Sequence, residues 1–564
     1  MQMTGAQMVI EAFIAEGVDT VFGYPGGAIM NVYDEIYKQD KFEHILTRHE
    51  QAAIHAAEGY AKASGKVGVA MITSGPGFTN AVTGLADAYM DSIPMVVVSG
   101  QVPMTLIGTD AFQEIDSVGI SRPCTKHNYL VTDASDLGRV LKEAFYIAAS
   151  GRPGPVHVDI PKDVTAQLAE FDYSQPIDLP TYKPTVKGNK RQIKKAVEAI
   201  AEAKRPLLYL GGGIINSNAS EAVRKLSQIT QIPAVETFMG RGSLRFDDDL
   251  LISMVGMHGS YAANMAMSET DLVIGLGVRF DDRVTGKLSE FAKSARIIHV
   301  DVDPTSISKL VNANFPIVGD LSAVLEEMIP MLEKSVDPDK YAPWRETIER
   351  YNNLHPLSYK DEGKNIKPQW VIERIGQSVD SDDVVISTDV GQHQMWTAQF
   401  FPFTRARQWV SSGGLGTMGF GFPAAMGAKR AAQDKISINI TGDGSILMNI
   451  QELMTAVEYR LPVINVILNN NYLGMVRQWQ TLFYDKRHSE TDLSMQPDFV
   501  KLAESFGGVG YRVTTKEEFD TALKDAISKN VVAIIDVVVD RHENVLPMVP
   551  SGGSLFNMML TDKD

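Results

Sequence analysis

Residues 438–471, INITGDGSILMNIQELMTAVEYRLPVINVILNNN, decide how the rest of the chain is read. An apolar run ends at Gly442-Asp443-Gly444-Ser445, and a helical pattern is predicted from Asn449 to Arg460. A second apolar run follows, from Pro462 to Leu468, and ends in three asparagines. The pattern is strand, glycine-rich turn, helix, strand, with the polar residues gathered where both strands finish. In an open parallel sheet, ligands settle at strand ends of this kind. Gly442 and Gly444 let backbone approach a bound group, and amides at a helix start favour an anion. Asp443 and Asn470 add hard oxygen ligands of the sort Mg²⁺ takes while it keeps phosphate oxygens in its shell. The 24 residues between Gly444 and Asn469 suffice for one crossover helix and one strand, so the two ends meet. The stretch therefore reads as a metal–diphosphate site.

Outward from it, the same alternation recurs. Thr4–Glu16 reads as a helix stopped by Gly17, Thr20–Tyr24 as a strand, and Pro25-Gly26-Gly27 as a turn. A helix at Gln51–Ser64, a strand at Val67–Ser74, a helix at Thr79–Met90 and a strand at Pro94–Ser99 continue the pattern. Strands alternating with helices imply doubly wound parallel sheets, an α/β fold. Polar, proline-containing residues 172–190 form a first linker, and polar residues 335–364 form a second, partly helical connector. Three units result: residues 1–172, 190–334 and 366–541, with an aperiodic tail over 542–564 that should pack against something else.

Length and composition agree. A chain of 564 residues exceeds one hydrophobic core and suits three domains. No apolar run is long enough for a membrane span. The formal charge of −16 argues against nucleic-acid binding, which needs a basic face. The single cysteine, Cys124, excludes an intrachain disulfide and a multi-cysteine metal centre and fits a reducing compartment. The N-terminus enters an amphipathic helix directly, without a basic leader, so a cytoplasmic location is expected.

The Gly-Asp-Gly…Asn-Asn spacing resembles the diphosphate signature of thiamine-diphosphate enzymes, and three α/β units match the pyruvate oxidase and decarboxylase group. Longer stretches narrow the likeness: VFGYPGGAIMNVYD (21–34), RHEQAAIHAAEGYA (48–61), GTDAFQE (108–114), SGRPGPVHVDIPKD (150–163), GVRFDDRVTGK (277–287), TDVGQHQMW (388–396), GGLGTMGFGFPAAMGA (413–428) and LGMVRQWQ (473–480). Together they resemble the large, catalytic subunits of the acetohydroxyacid synthase (acetolactate synthase) family over nearly the whole chain. Phe78 and Phe422 depart from the family pattern, which touches packing more than chemistry.

The resemblance implies roles residue by residue. Glu50 matches the glutamate that activates the cofactor through its pyrimidine ring; without the resemblance it is a favourable charge at a helix start. Met418 would lie beneath the bent cofactor, with backbone near Gly416 holding the pyrimidine and Met475 alongside. Gly391, Gln392 and His393 would bond the diphosphate with Gly442, Asp443, Gly444 and Ser445, and the Tyr472 backbone would join Asp443 and Asn470 on Mg²⁺. Gln113 and Lys162 would join Glu50 in catalysis. Arg279 would grip the acceptor carboxylate, and Trp479 would favour 2-ketobutyrate over a second pyruvate, with Met257, Phe112 and Val476 lining the cleft. The middle unit resembles an FAD-binding domain, with Arg152, His258, Gly277, Arg279, Asp301 and Asp320 in matching places, although nothing in the residues themselves demands a flavin. Gly414-x-Gly416-x-x-Gly419 is a formal dinucleotide fingerprint; Lys429-Arg430 replace the acidic residue it needs downstream, and that reading is rejected.

The activity implied is decarboxylation of pyruvate and condensation with a second pyruvate or 2-ketobutyrate. A flavin-free catabolic synthase, a pyruvate oxidase or decarboxylase, and a non-catalytic scaffold are the alternatives. The implied assembly is a homodimer or tetramer with shared active sites, and any regulatory subunit would act in trans.

Overall fold

The computed structural model describes residues 2–561. Its frame is three six-stranded, all-parallel sheets. The first contains β1 (Thr20–Gly23), β2 (Glu43–Leu46), β3 (Gly68–Ile72), β4 (Met95–Gln101), β5 (His127–Leu130) and β6 (Pro155–Pro161), in the order 2-1-3-4-6-5. The second contains β7 (Pro206–Leu210), β8 (Ala234–Glu236), β9 (Leu251–Met254), β10 (Leu272–Leu276), β11 (Arg296–Asp301) and β12 (Phe315–Val318), in the order 9-8-7-10-11-12. The third contains β13 (Val384–Thr388), β14 (Trp409–Ser411), β15 (Ile436–Gly442), β16 (Val463–Asn469), β17 (Val509–Val513) and β18 (Ala533–Val538), in the order 14-13-15-16-18-17. The first and third sheets thus share one topology. The middle sheet has the order of dinucleotide-binding folds.

Continuous apolar runs form the central strands because both sheet faces are covered. In β4, Val96 and Val98 face one core while Met95 and Val97 face another. In β7, Leu208 and Leu210 divide from Leu207 and Tyr209 in the same way. One core belongs to two units at once: Phe22, Ile72 and Val97 of the first share it with Phe422, Met426 and Ile467 of the third. The joint is made by α1 (Glu50–Ser64) against α2 (Gly421–Ala431). Close approach explains two glycines there. A Cβ on Gly59 would meet the Ala424 oxygen at 2.1 Å, and one on Gly427 would meet the Ala56 oxygen at 1.8 Å. Both departures from the family pattern are core: Phe78 is fully buried with its ring 4.6 Å from His157, and Phe422 packs in the shared core.

The tail straps the third unit to the second. Gln478 bonds both backbone groups of Val545 at 2.9 and 3.0 Å, Val549 N–H donates to Met257 O at 2.8 Å, and Met558 enters the middle unit's core. Cys124 is a free, buried thiol. No helix among the described residues is long and apolar enough to cross a membrane.

One local expectation changes. The helix predicted from Asn449 begins at Glu452, after a short 3-10 turn over Ile446–Met448. The Gly-Asp-Gly amides therefore do not open a helix. The helix that does start at this crevice is Gln392–Phe400, entered through Gly391 in a conformation (φ 152°) that favours glycine.

Candidate active site

The crevice of the third sheet lies where strand order reverses, between β13 and β15, with β16 next in line. Asp389 to Gly391, Gly442 to Ser445 and Asn470 to Tyr472 leave these three neighbouring strands and converge. A Cβ on Gly442 would stand 3.1 Å from His393 Nδ1, and one on Gly391 2.9 Å from its Cε1, so the imidazole lies across a glycine-lined floor. His393 is buried, held neutral with its pKa lowered to about 3, and its Nε2 has no hydrogen-bond partner. An orphaned ring nitrogen over glycine backbone is what a diphosphate oxygen would satisfy. Ser445 donates to Val390 O at 3.3 Å, tying two of the three loops together.

The acidic side of the crevice is equally defined. Asp443 is buried, and burial pushes its carboxyl up to about 7, against the pull of the Gln496 side chain that donates to Oδ2. Such a carboxylate asks for a cation. Asn470 Oδ1 accepts from Tyr472 N–H at 3.0 Å, which brings the Tyr472 backbone beside it. The Gln392 side chain turns toward Asn470 Nδ2 (3.3 Å) and Gln478 (2.8 Å), which leaves its backbone for an anion. A Cβ on Gly474 would meet Gln392 Oε1 at 2.1 Å, so any side chain at the start of the helix Gly474–Phe483 would push the Gln392 amide aside. That helix carries Met475, half-buried, with Val476 and Trp479 exposed.

The Gly-rich loop 412–420 leaves an edge strand, β14, and not the strand that begins the crevice, which agrees with rejecting the dinucleotide fingerprint. Gly416 (φ 75°) and Gly419 (φ 88°) need glycine, and Met418 between them is half-buried. Asp389, missed in the sequence, is the loop's anchor. Its Oδ1 accepts from Gly419 and Gly421 N–H at 2.9 Å each, and its Oδ2 accepts from Thr441. A buried aspartate at a strand end ahead of glycine, in TDVG, was the available signal.

In the first unit, Glu50 opens α1, half-buried, with Oε2 accepting from Asn80 at 3.0 Å. Oε1 lies over Gly77, where a Cβ would be 3.3 Å away. Gln113 sits at φ 61° with its carbonyl against Gly75, and Phe112 beside it is 88% exposed. Lys162 is exposed at the end of β6.

The middle unit's reversal lies between β7 and β10, where Gly213 N–H donates to Gly277 O at 3.1 Å. A Cβ on Gly213 would meet Gly277 Cα at 2.7 Å, so two strand ends touch backbone to backbone. Arg152 reaches across from the first unit to Asp303 at 3.3 Å. Burial lifts Asp301 to about 6. His258 is buried, lowered to about 4, with Nδ1 3.2 Å from Pro547 O of the tail. Arg279 donates to Met90 O at 2.9 Å, Met257 Sδ lies 3.7 Å from Arg283, and Asp320 caps the helix Leu321–Ser335.

Three family models cover these units in turn. Residues 3–120 match the N-terminal and residues 389–537 the C-terminal thiamine pyrophosphate (TPP) binding domain of thiamine pyrophosphate enzymes, and residues 193–328 match their central domain. The fold and its crevices are those of a thiamine-diphosphate-dependent enzyme. The acetolactate synthase large subunit of Buchnera aphidicola is 48% identical over 100% of this chain and 99% of its own length. The isozyme 3 large subunit of Escherichia coli is 47% identical over 99% of each. A probable acetolactate synthase large subunit of Methanocaldococcus jannaschii is 48% identical over 99% of the chain and 95% of its own. The chain belongs to the acetolactate synthase large-subunit family.

Proposed function

We propose that the chain decarboxylates pyruvate and joins the remaining two-carbon unit to a second pyruvate or to 2-ketobutyrate, giving 2-acetolactate or 2-aceto-2-hydroxybutyrate for branched-chain amino-acid synthesis. Thiamine diphosphate, when bound, supplies the nucleophilic carbon and the electron sink for loss of carbon dioxide. The pairing of Glu50 on one glycine-lined strand end with Asp443, Asn470 and the orphaned His393 on another carries this reading.

Glu50 would hold a proton at the pyrimidine nitrogen, kept in orientation by Asn80. Asp443, Asn470 Oδ1 and the Tyr472 backbone carbonyl would hold Mg²⁺. Backbone amides of Gly391, Gln392, Gly444 and Ser445, with His393, would take the diphosphate. Arg279 would clamp the acceptor's carboxylate, its planar fork suiting two oxygens at once. Trp479, Met257, Phe112 and Val476 would shape the acceptor pocket and exclude water, with Gln113 and Lys162 supplying polar groups near the reacting atoms. FAD would lie along Arg152, His258, Gly277, Arg279, Asp301 and Asp320, bound on a sheet of dinucleotide-binding order, with no electron transfer in the net reaction.

Phe112 and Trp479, exposed at 88% and 38%, favour an assembly in which the first unit of one copy meets the third of another. A homodimer is the minimum form proposed, with a tetramer and a separate regulatory small subunit as further assembly. The domain limits proposed are 1–172, 190–334 and 366–541, and the compartment proposed is the cytoplasm.

Product analysis with pyruvate alone and with added 2-ketobutyrate, with and without FAD, tests the reading. Acetolactate alone, then both products, with activity rising on FAD, is expected. Acetaldehyde or acetate as sole product would overturn it.

A further inference from the structure

The Gly-rich loop that carries Met418 is held from two sides, and one side belongs to the first unit of the same chain. Asp91 closes the helix α3 (Pro76–Asp91) and accepts from Gly413 N–H at 3.0 Å and Gly414 N–H at 2.7 Å. Lys62, buried near the end of α1, lies 2.7 Å from Asp91, 3.1 Å from Glu58 and 4.9 Å above the Phe420 ring. Its ammonium also donates to Ser411 O at 2.5 Å. Asp87, one turn before Asp91, accepts from the Ser412 hydroxyl at 2.9 Å. That hydroxyl in turn accepts from Gly416 and Thr417 N–H at 3.0 and 2.9 Å. Asp389 takes the amides of Gly419 and Gly421 from the other side. Six amides on either side of Met418 therefore end on side-chain oxygens.

The same two helices hold Glu50. It is the first residue of α1, on which Lys62 lies, and its partner Asn80 is on α3, with Asp87 and Asp91. The loop's first residues pack closely on their neighbours. A Cβ on Gly414 would stand 2.8 Å from Met90 Cβ, and one on Gly413 2.3 Å from Met239 Sδ. Asp87 and Asp91 are themselves buried, and bonds from amides or hydroxyls to an ionised carboxylate are shorter and stronger than neutral ones.

We propose that Asp87 and Asp91, with Lys62, are positioning residues that set the Gly413–Gly419 loop so that Met418 supports the pyrimidine ring of thiamine diphosphate. This rests on the cofactor reading above. It assigns the first unit a second task in its own chain, besides presenting Glu50. The loop is then part of a joint between units and not a free cradle.

The test uses full-length protein with Asp91→Asn, Ser412→Ala and Ser412→Thr. Asparagine keeps one acceptor but turns an NH₂ toward a backbone amide and the Lys62 ammonium. Ser412→Ala removes only the bridge and covers the case in which Asp91→Asn does not fold; Ser412→Thr keeps the hydroxyl. Hydrogen exchange of the Gly413–Gly421 amides without cofactor reads the loop, and titration with thiamine diphosphate and Mg²⁺ reads binding. Asp91→Asn and Ser412→Ala should exchange faster over this segment and bind the cofactor roughly tenfold more weakly, the scale of one lost charge-assisted bond. Ser412→Thr should restore both. Wild-type exchange and affinity in a folded Asp91→Asn or Ser412→Ala variant would overturn the proposal, even if the variant were less stable. Failure of the wild-type chain to bind thiamine diphosphate would instead overturn the cofactor reading.

Discussion

The first and third sheets have the same strand order and buried central strands, yet their crevices carry different chemistry. In the third, Asp443, Asn470 and His393 gather hard oxygen and an unpaired ring nitrogen around glycine backbone. In the first, the corresponding place holds one half-buried carboxylate, Glu50, over Gly77. Topology decides where a crevice opens, and the few side chains at the strand ends decide what it can hold. The middle sheet, with another order, makes its crevice from glycine backbone at Gly213 and Gly277.

If the two matching sheets grip opposite ends of one cofactor, their failures should differ. Asp443→Ala removes a ligand of the proposed metal, and activity at fixed Mg²⁺ should fall roughly a thousandfold, with cofactor binding lost in the same titration. Retained binding would break the comparison. Glu50→Gln should lower kcat roughly a hundredfold, the scale of one general acid–base group, while thiamine diphosphate still binds measurably. Full activity in that variant would remove the first sheet from the chemistry. Trp479→Leu should leave acetolactate formation from pyruvate largely intact and reduce the preference for 2-ketobutyrate roughly tenfold, because discrimination by one methylene is small. Competition between both acceptors measures it.

The joint between the sheets supplies the smallest effect. Burial lifts Glu58 from 4.5 to about 7 in the folded chain, against the pull of Lys62. The folded state then binds a proton that the unfolded chain lacks between those values. The stability it contributes is present below pH 4.5 and is lost as pH rises through about 7. Glu58→Gln removes that group's share of the dependence, and the buried Asp87, also raised to about 7, keeps its own. Denaturant unfolding at a series of pH values should show the variant gaining on wild type from pH 5 to pH 8, by an amount on the order of 1 kcal/mol or more. A constant difference across that range would refute it.

Much was legible before any coordinates. The strands that cross the middle of each sheet are continuous apolar runs, which both-face burial demands, and they were readable as such. The three-residue strands Ala234–Glu236, inside the middle sheet, and Trp409–Ser411, at the edge of the third, were not, because three residues give no period. The helix predicted from Asn449 starts three residues later, at Glu452, because residues 449–451 form a turn between the 3-10 segment Ile446–Met448 and the helix. Asp389 passed unnoticed because an aspartate at the end of a strand gives no hint of which amides it will accept. Nothing in the sequence marks Lys62, Asp87 and Asp91 apart from other helix charges, and only the packing of α1 and α3 on the third unit takes them out of water.

The sequence by itself determined three parallel α/β units, a glycine-rich strand end at Gly442 to Ser445 that meets the one at Asn469 to Asn471, and, through its resemblances, the family. Those follow from periodicity, glycine at strand ends and spacing, all of which are local. Tertiary structure alone decided that the first and third sheets share a topology and a core, that His393 lacks a partner over the glycine floor, and that the Met418 loop hangs on acids of another unit. These are matters of distance between residues far apart in the chain, from the tens that separate His393 from Gly442 to the hundreds that separate Asp91 from Gly413, and burial, which sets their electrostatics, exists only once the units have packed.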